Sequence, residues 1–358
     1  MRRTLSVLAL VWLALTAFAL PAAAQIGLPA DKGLPVVVRI GTTFVELQSF
    51  DQDAGTFTAT VDVRVIWEDL RLRMTPDHAL DPPLIYRGTD ATDRLQGLWT
   101  PPIELINQVG DAAHTEIALR TYPDGRAELM QRTTATFSTP FDVTRFPFDR
   151  QKLQVEIATR LEPASNVVLQ TRQDDLDFSR AASGAELEGW TLGLVDMRSV
   201  PLPGWYGASH SRIVASLAIT RNPANLIAAM FIPLFASLLI PMLTIWLNRI
   251  EDGVFQIETF ELVNLIIGGL FAVIALNFTV NADYAVLSAG DNSVSQLFAL
   301  NYVTLGICLL VNILFYRYRV FETTLGRYGQ EQLFLVLAWA IPVIVLTAAV
   351  AIVAVALV

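Results

Sequence analysis

The chain has 358 residues, 53% of them hydrophobic and only 16% charged, with a mean hydropathy of +0.47. That is too apolar for a soluble protein of this length, and the excess sits almost wholly after Pro223, so the chain reads as a soluble front joined to a membrane back. The net charge of −9, concentrated in the front, argues against nucleic acid or an anionic membrane face as partner and favours enrichment of cations.

Residues 1–24 carry Arg2 and Arg3, then an apolar run, then Ala22-Ala23-Ala24, which is the pattern of a cleaved secretory signal peptide. The mature chain is expected to start outside the cytoplasm near Gln25. Over residues 36–220, short segments rich in Val, Thr, Ile and Phe are separated by turn signals such as Asp53-Ala54-Gly55 and Pro123-Asp124-Gly125. Apolar residues alternate clearly in 57–67, 126–137 and 212–220, with no convincing amphipathic helix between, so residues 25–222 predict an extracellular antiparallel β-sandwich domain. A short helix near its N-terminus is compatible with that.

After Arg221-Asn222-Pro223, residues 223–358 predict a four-helix α transmembrane bundle, with apolar segments at about 226–247, 258–280, 294–316 and 333–358. With the N-terminus exported, the connections 248–252 and 317–330 face the cytoplasm, and they hold Arg249, Arg317, Arg319 and Arg327 as the positive-inside rule expects. The C-terminus then returns to the extracytoplasmic side. Both connections are too short for a cytoplasmic catalytic domain. The single cysteine, Cys308, lies in an apolar run and reads as inert packing.

The second apolar segment opens with Glu258 and Glu261 on one helical face, where carboxylates have to meet water or protein rather than lipid. From Glu261, steps of three and four continue that stripe through Asn264, Gly268, Phe271, Ala275 and Phe278. Its start is acidic and small, its far end bulky and oily. The other faces carry Leu262, Val263, Leu265, Ile266, Leu270, Val273 and Ile274, which suit lipid or neighbouring helices. Such a helix works as one stave of an ion pore, with the glutamates as a cation-selecting ring and Phe271 as a hydrophobic constriction. A shift of one position would put Ala272 in that place. The residues alone leave a second reading open, in which the helix is buried and its glutamates cap the N-terminus beside the macrodipole.

Residues 139–153 read T-P-F-D-V-T-R-F-P-F-D-R-Q-K-L, a surface loop whose Phe141, Phe146 and Phe148 form an apolar knuckle. The knuckle either seeks the outer ends of the helices or folds back into the sandwich core. The stretch resembles the signature loop of the pentameric ligand-gated ion channels, the Cys-loop receptor family, whose pattern is C-P-x-D-x-x-x-F-P-x-D-x-Q-x-C. Thr139 and Leu153 stand at the cysteine positions, as in bacterial members, which lack the disulfide. Further matches are Trp67-Glu68-Asp69-Leu70-Arg71-Leu72, Leu98-Trp99-Thr100-Pro101, Arg221-Asn222-Pro223 and Phe231-Ile232-Pro233-Leu234.

The resemblance implies a homopentamer in a bacterial inner membrane, with the second helix lining the pore and small extracellular ligands or protons opening it. Glu261 is similar in place to the glutamate of cation-selective members, where anion-selective members carry Pro-Ala-Arg. Agonists of the family bind between subunits in an aromatic cage. Here the second-strand position holds Asp62, the segment after the signature loop holds Arg160, Glu104 follows Trp99, and the capping loop keeps Trp205, Tyr206 and His210. A carboxylate ligand paired with Arg160, or a cation held by Asp62 and Glu104, fits as well as an amine; each residue is also readable as solvated surface. None of His78, His114 and His210 lies in a membrane segment, which excludes a pore histidine as proton sensor and leaves carboxylates for that role.

Gating requires a link from sandwich to pore. Arg221 is expected beside Asp149, near the turn Asp51-Gln52-Asp53 and the knuckle residues Phe146, Pro147 and Phe148, where two pairings of similar energy suit a switch. A snorkelling interfacial arginine is the alternative. On this reading Arg221→Ala reaches the membrane but conducts poorly. The rival functions are a non-conducting anchored receptor, an enzyme and a transporter. No Ser/His/Asp set, metal-spaced His and Cys, phosphate-binding loop or broken helix pair is visible, so no cofactor and no metal is expected.

Overall fold

The structure, a computed structural model, describes residues 27–78, 81–247, 250–251, 254–255, 259–284, 287, 290–318 and 320–357. The signal peptide and Glu258 lie outside the described residues.

The front is built from β1 (Val36–Asp51), β2 (Thr56–Glu68), β3 (Leu84–Arg87), β4 (Glu104–Leu105), β5 (Gln108–Thr121), β6 (Arg126–Ser138), β7 (Arg150–Ala158), β8 (Val167–Gln170), β9 (Trp190–Ser199), the hairpin of β10 (Leu202–Pro203) and β11 (Ser209–His210), and β12 (Arg212–Arg221). One sheet runs in the order β3-β5-β6-β2-β1-β8 and the other in the order β4-β7-β12-β9. Alternate residues supply the core between them: Phe57, Val61, Val63 and Val65 of β2 face Leu153, Val155 and Ile157 of β7 and Ile213 and Leu217 of β12, all buried. The alternating pattern of the sequence is the cause of this two-layered packing.

Two features depart from the sequence reading. β8 pairs with β1 in parallel, Val36 opposite Val167, so the sandwich is not wholly antiparallel. Two short helices, α1 (Thr89–Gln96) and α2 (Gln173–Phe178), also interrupt the strands. Tertiary contacts rather than periodicity seat α2. Its fully buried Asp175 accepts hydrogen bonds from Arg39 Nε and Arg64 Nη2, both at 2.9 Å, which compensates the buried charge.

Among the described residues, four helices of the back are long and apolar enough to cross a membrane. They are α3 (Ala224–Trp246), α4 (Thr259–Asp283), α5 (Ser293–Asn312, continued by a π turn over Ile313–Arg317) and α6 (Val320–Leu357). Helix α6 begins well before residue 333 and takes in most of the stretch expected as a cytoplasmic loop. Polar helix formers such as Glu322, Arg327 and Gln330 give no hydropathy signal, and the helix is broken only at Gly326, whose φ of 74° suits glycine. Ser237 Oγ of α3 donates to Asn301 Oδ1 of α5 at 2.8 Å, and Trp246 Nε1 donates to the Ala338 carbonyl of α6 at 2.7 Å. Such bonds join helices where apolar contact alone specifies little.

Candidate functional site

Helix α4 is apolar almost throughout but packs on one side only. Leu262, Ile266, Gly269, Val273 and Val280 are buried against its own subunit. The described members of the polar-to-oily stripe are all exposed: Glu261, Asn264, Gly268 and Ala275, with Phe271 at 67% and Phe278 at 73%. At 3.6 residues per turn the stripe is centred about 160° from the packed row. Two adjacent glycines mark the two sides. A Cβ on Gly269 would lie 2.9 Å from Ile240 Cγ2 and 3.3 Å from Leu305 Cδ2, whereas nothing lies within 4 Å of one on Gly268. Ala272 is exposed as well, so both candidate constrictions face away from the subunit. Glu261 stands exposed in the first turn, a position that serves the helix dipole as well as an aqueous ring.

The signature loop joins the two halves. Its ends are held by Thr139, whose Oγ1 donates to the Lys152 carbonyl at 2.7 Å, and by the buried Leu153, in place of a disulfide. The three phenylalanines do not act as one knuckle. Phe141 turns back onto the sandwich, where it is partly buried against the core with its ring 5.4 Å from that of Phe50. Phe146 is buried against the helices, 5.9 Å from Tyr284, and its carbonyl accepts from Ser293 Oγ at 2.6 Å. Pro147 is buried beside it, and the Phe148 ring lies 6.5 Å from Phe231.

Arg221, only 5% exposed, closes the junction. Its Nε and Nη2 donate to Asp149 Oδ1 at 2.6 Å and Oδ2 at 3.1 Å, and Nη2 also donates to Gln52 Oε1 at 2.9 Å. The guanidinium lies 4.2 Å from the Trp190 ring centroid and 4.8 Å from that of Phe146. Asp149 additionally accepts from Gln151 Nε2 at 2.7 Å. The turn after β1 therefore meets Arg221 through a neutral amide rather than a carboxylate. Asp51 Oδ1 instead accepts from the amides of Asp53 (3.0 Å) and Ala54 (2.9 Å), shaping the turn. Of the turn that the sequence placed near Arg221, Gln52 rather than a carboxylate makes the contact, and sequence reasoning missed the junction residues Trp190, Tyr284 and Ser293. The Asn292–Ser295 capping box that starts α5, with Ser295 N donating to Asn292 Oδ1 at 3.0 Å, was a legible signal for the last of them.

On the flank of the sandwich, a cleft of about 520 Å3 brings together Glu104, Arg160, Trp205 and His210. Arg160 Nη1 and Glu104 Oε2 are 3.7 Å apart, a loose and solvated pair. His210 Nδ1 lies 2.9 Å from the Thr159 carbonyl and 3.0 Å from that of Glu162, so Nδ1 carries the proton and donates to them. Gly204 is required beside this ring, since a side chain there would overlap the imidazole. At the hairpin tip Trp205 is 88% exposed and Tyr206 104% exposed, the latter at a φ of 55° that non-glycine residues seldom adopt. Asp62 does not join this cleft within one chain. It lies on the other sheet, bound to Arg132 Nε at 2.7 Å and Nη2 at 2.8 Å, and lines a separate depression. The Asp62 carboxylate in turn raises the Arg132 pKa above its ordinary value.

A β-sandwich clamped by one loop and one buried arginine onto four apolar helices is the build of a multi-pass membrane protein with a receptor-type head. Residues 25–223 match the neurotransmitter-gated ion-channel ligand binding domain, and the chain belongs to that family. It is similar to a proton-gated ion channel of Gloeobacter violaceus, with 25% identity over 253 residues, covering 70% of this chain and 64% of that one. It is also similar to the human gamma-aminobutyric acid receptor subunit rho-3, 23% identical over 62% of this chain and 47% of the receptor subunit. The human glycine receptor subunit beta is 21% identical over 64% of this chain and 47% of that subunit. The chain thus spans less than two thirds of the length of these curated relatives.

Proposed function

We propose that the chain is one subunit of a homopentameric, cation-selective, ligand-gated ion channel in a bacterial inner membrane. On this reading residues 25–222 form the extracellular ligand-binding domain, 223–358 the transmembrane domain, and the C-terminus is extracytoplasmic. The observation that carries the proposal is the exposure of Glu261, Asn264, Gly268, Phe271, Ala275 and Phe278 on the side of α4 opposite its packing. Around a fivefold axis these residues, preceded by Glu258, supply an acidic inner mouth and an apolar waist, which select cations and gate by dewetting. Membrane lipid covers the outer faces of the bundle.

The opening signal is a small extracellular ligand or protons. The Glu104–Arg160–Trp205–His210 cleft, with Tyr206 at its rim, is suited to a ligand bearing a carboxylate for Arg160, and Asp62 of an adjacent subunit offers the facing wall. Phe146, Pro147, Phe148, Asp149 and Arg221 carry the movement to α4 and α5, with Asp51 and Asp53 shaping the turn that presents Gln52. The purified protein is to be recorded in planar bilayers across ligand and pH screens. Wild-type currents are expected to reverse near the cation equilibrium potential, and Glu261→Arg to move reversal towards that of the anion. A protein that never conducts favours a non-conducting anchored receptor instead, and a selectivity untouched by that substitution removes Glu261 from the selecting ring.

A further inference from the structure

A small ligand and protons, the two candidate opening signals, converge on one side chain. His210 lines the Glu104–Arg160 cleft, and its ring is tied down at one edge only. Nδ1 donates to the Thr159 and Glu162 carbonyls, at 2.9 and 3.0 Å, and it can do so whether the ring is neutral or charged. The opposite edge, Nε2, faces Gly204, where any side chain would overlap it. Among the described residues Nε2 has no hydrogen-bond partner, and it is not one of the unpaired atoms sealed from solvent. It therefore opens to the cleft that the ring lines.

The tautomer decides what that edge can do. With the proton held at Nδ1, the neutral ring offers Nε2 as an acceptor, which repels a carboxylate; a second proton turns Nε2 into a charged donor. Histidine ordinarily changes charge between about pH 5 and 8. The charged groups around the ring are Arg160 and Glu104 of the cleft, Glu162 on the loop that supplies a carbonyl, and the Arg212–Glu156 pair next along β12 and β7. Glu162 is engaged by Asn166 Nδ2 at 2.9 Å, and Glu156 by Arg212 Nη1 at 2.8 Å. On the proposed assembly the facing wall adds Asp62, Glu116, Arg87 and Arg132, two of each sign. Since Glu104 balances Arg160, charging the ring leaves an excess positive charge beside the guanidinium. The two cations repel each other, and a carboxylate held between them removes the repulsion. Proton and anion then favour each other's binding.

We propose that His210 couples proton binding to carboxylate binding in this cleft, with the Nε2–H and the Arg160 guanidinium holding one carboxylate between them. The inference rests on the ligand-binding reading of the cleft and goes beyond it, because ligand and protons become one coupled signal rather than alternatives. Affinity for a carboxylate is full while the ring is charged and falls as rising pH discharges it.

Sodium benzoate, which stays ionised over the range used, is to be titrated calorimetrically into the detergent-solubilised full-length protein. It is expected to bind at least about five-fold more tightly at about pH 5.5 than at about pH 8. Near the middle of that range, binding to the wild-type protein is expected to take up protons, read as a dependence of the binding enthalpy on the ionisation enthalpy of the buffer. His210→Asn keeps an amide N–H for the two carbonyls but cannot become charged. It is expected to bind at both pH values as weakly as wild type does at the higher one. His78→Asn, outside the cleft, is expected to keep the wild-type ratio. Melting temperatures near wild type establish that the variants fold, and the proton uptake needs no variant. Equal affinity at the two pH values, no proton uptake, or a pH ratio that survives in His210→Asn would each overturn the coupling. If Arg160→Met still weakens benzoate at both pH values in that event, the carboxylate reading of the cleft stands. No benzoate binding at either pH, or binding indifferent to Arg160→Met, would remove that reading and the coupling with it.

Discussion

At the scale of single residues, the Arg221–Asp149 pair dominates because both groups are nearly sealed from water, at 5% and 1% exposure, among aromatic rings. Removing one partner of such a pair costs about 3–5 kcal/mol, since the other charge is left buried and uncompensated. Arg221→Ala is therefore expected to lower the yield of assembled protein, which revises the expectation that it reaches the membrane undisturbed. Arg221→Met combined with Asp149→Leu removes both charges at similar volume and is expected to restore assembly while ligand- or proton-evoked currents stay small. Size-exclusion profiles and bilayer recordings of the two variants check this, and full currents from the double variant would defeat the coupling role. A nearby acid makes the opposite case. The Thr144 amide donates to Asp142 and holds its carboxyl below the ordinary 3.8. With the folded pKa depressed, the contribution of Asp142 to the loop is complete above that value and is lost only as the pH falls through the lower folded one. Asp142→Asn is accordingly expected to leave any response between roughly pH 8 and pH 5 unchanged, as dose–response curves in protons would register.

At the scale of elements, α4 is a helix with one packed face and one bare face. Gly269 belongs to the first and Gly268 to the second, although nothing in the sequence distinguishes two adjacent glycines. Gly269→Val forces a branched side chain into Ile240 and Leu305 and is expected to cost about 1–3 kcal/mol, the usual penalty of overpacking. Gly268→Ala meets open space and is expected to leave thermal stability at or above wild type, because alanine favours the helix. The reverse order of melting temperatures would mean that the packed face is misassigned. The stripe from Glu261 to Phe278 was legible because helical period and chemical contrast coincide in it, and the strands because alternation at period two marks a half-buried sheet. Other features were not legible. The parallel β1–β8 pair, the seating of α2 on Arg39 and Arg64, and the reach of Gln52 to Arg221 all join residues more than 100 positions apart, where local pattern carries no signal. The start of α6 was missed because polar helix formers look like a loop to a reading based on hydropathy.

At the scale of the whole molecule, the parts form one line of contact. The flank cleft lies on strands that lead to Arg221, Arg221 holds the loop residues Asp149 and Phe146, and Phe146 touches Tyr284 and Ser293 at the outer ends of α4 and α5. A ligand that moves the cleft has a packed route to the helix with the exposed stripe. The exposed aromatics Trp205 and Tyr206 and the Asp62 depression on the other sheet are surfaces that neighbouring subunits would cover, while the bare side of α4 would face the pore. The central claim is that water reaches the exposed side of α4 and not the packed side. Cys308, buried in α5, is the sole cysteine, so a Cys308→Ser background accepts single cysteines along α4 without competing thiols. The decisive measurement is the change in current on adding a charged methanethiosulfonate to Asn264→Cys, Ala275→Cys, Ile266→Cys and Val273→Cys channels. The account predicts irreversible block of the first two and none of the last two; block confined to positions 266 and 273 would contradict it.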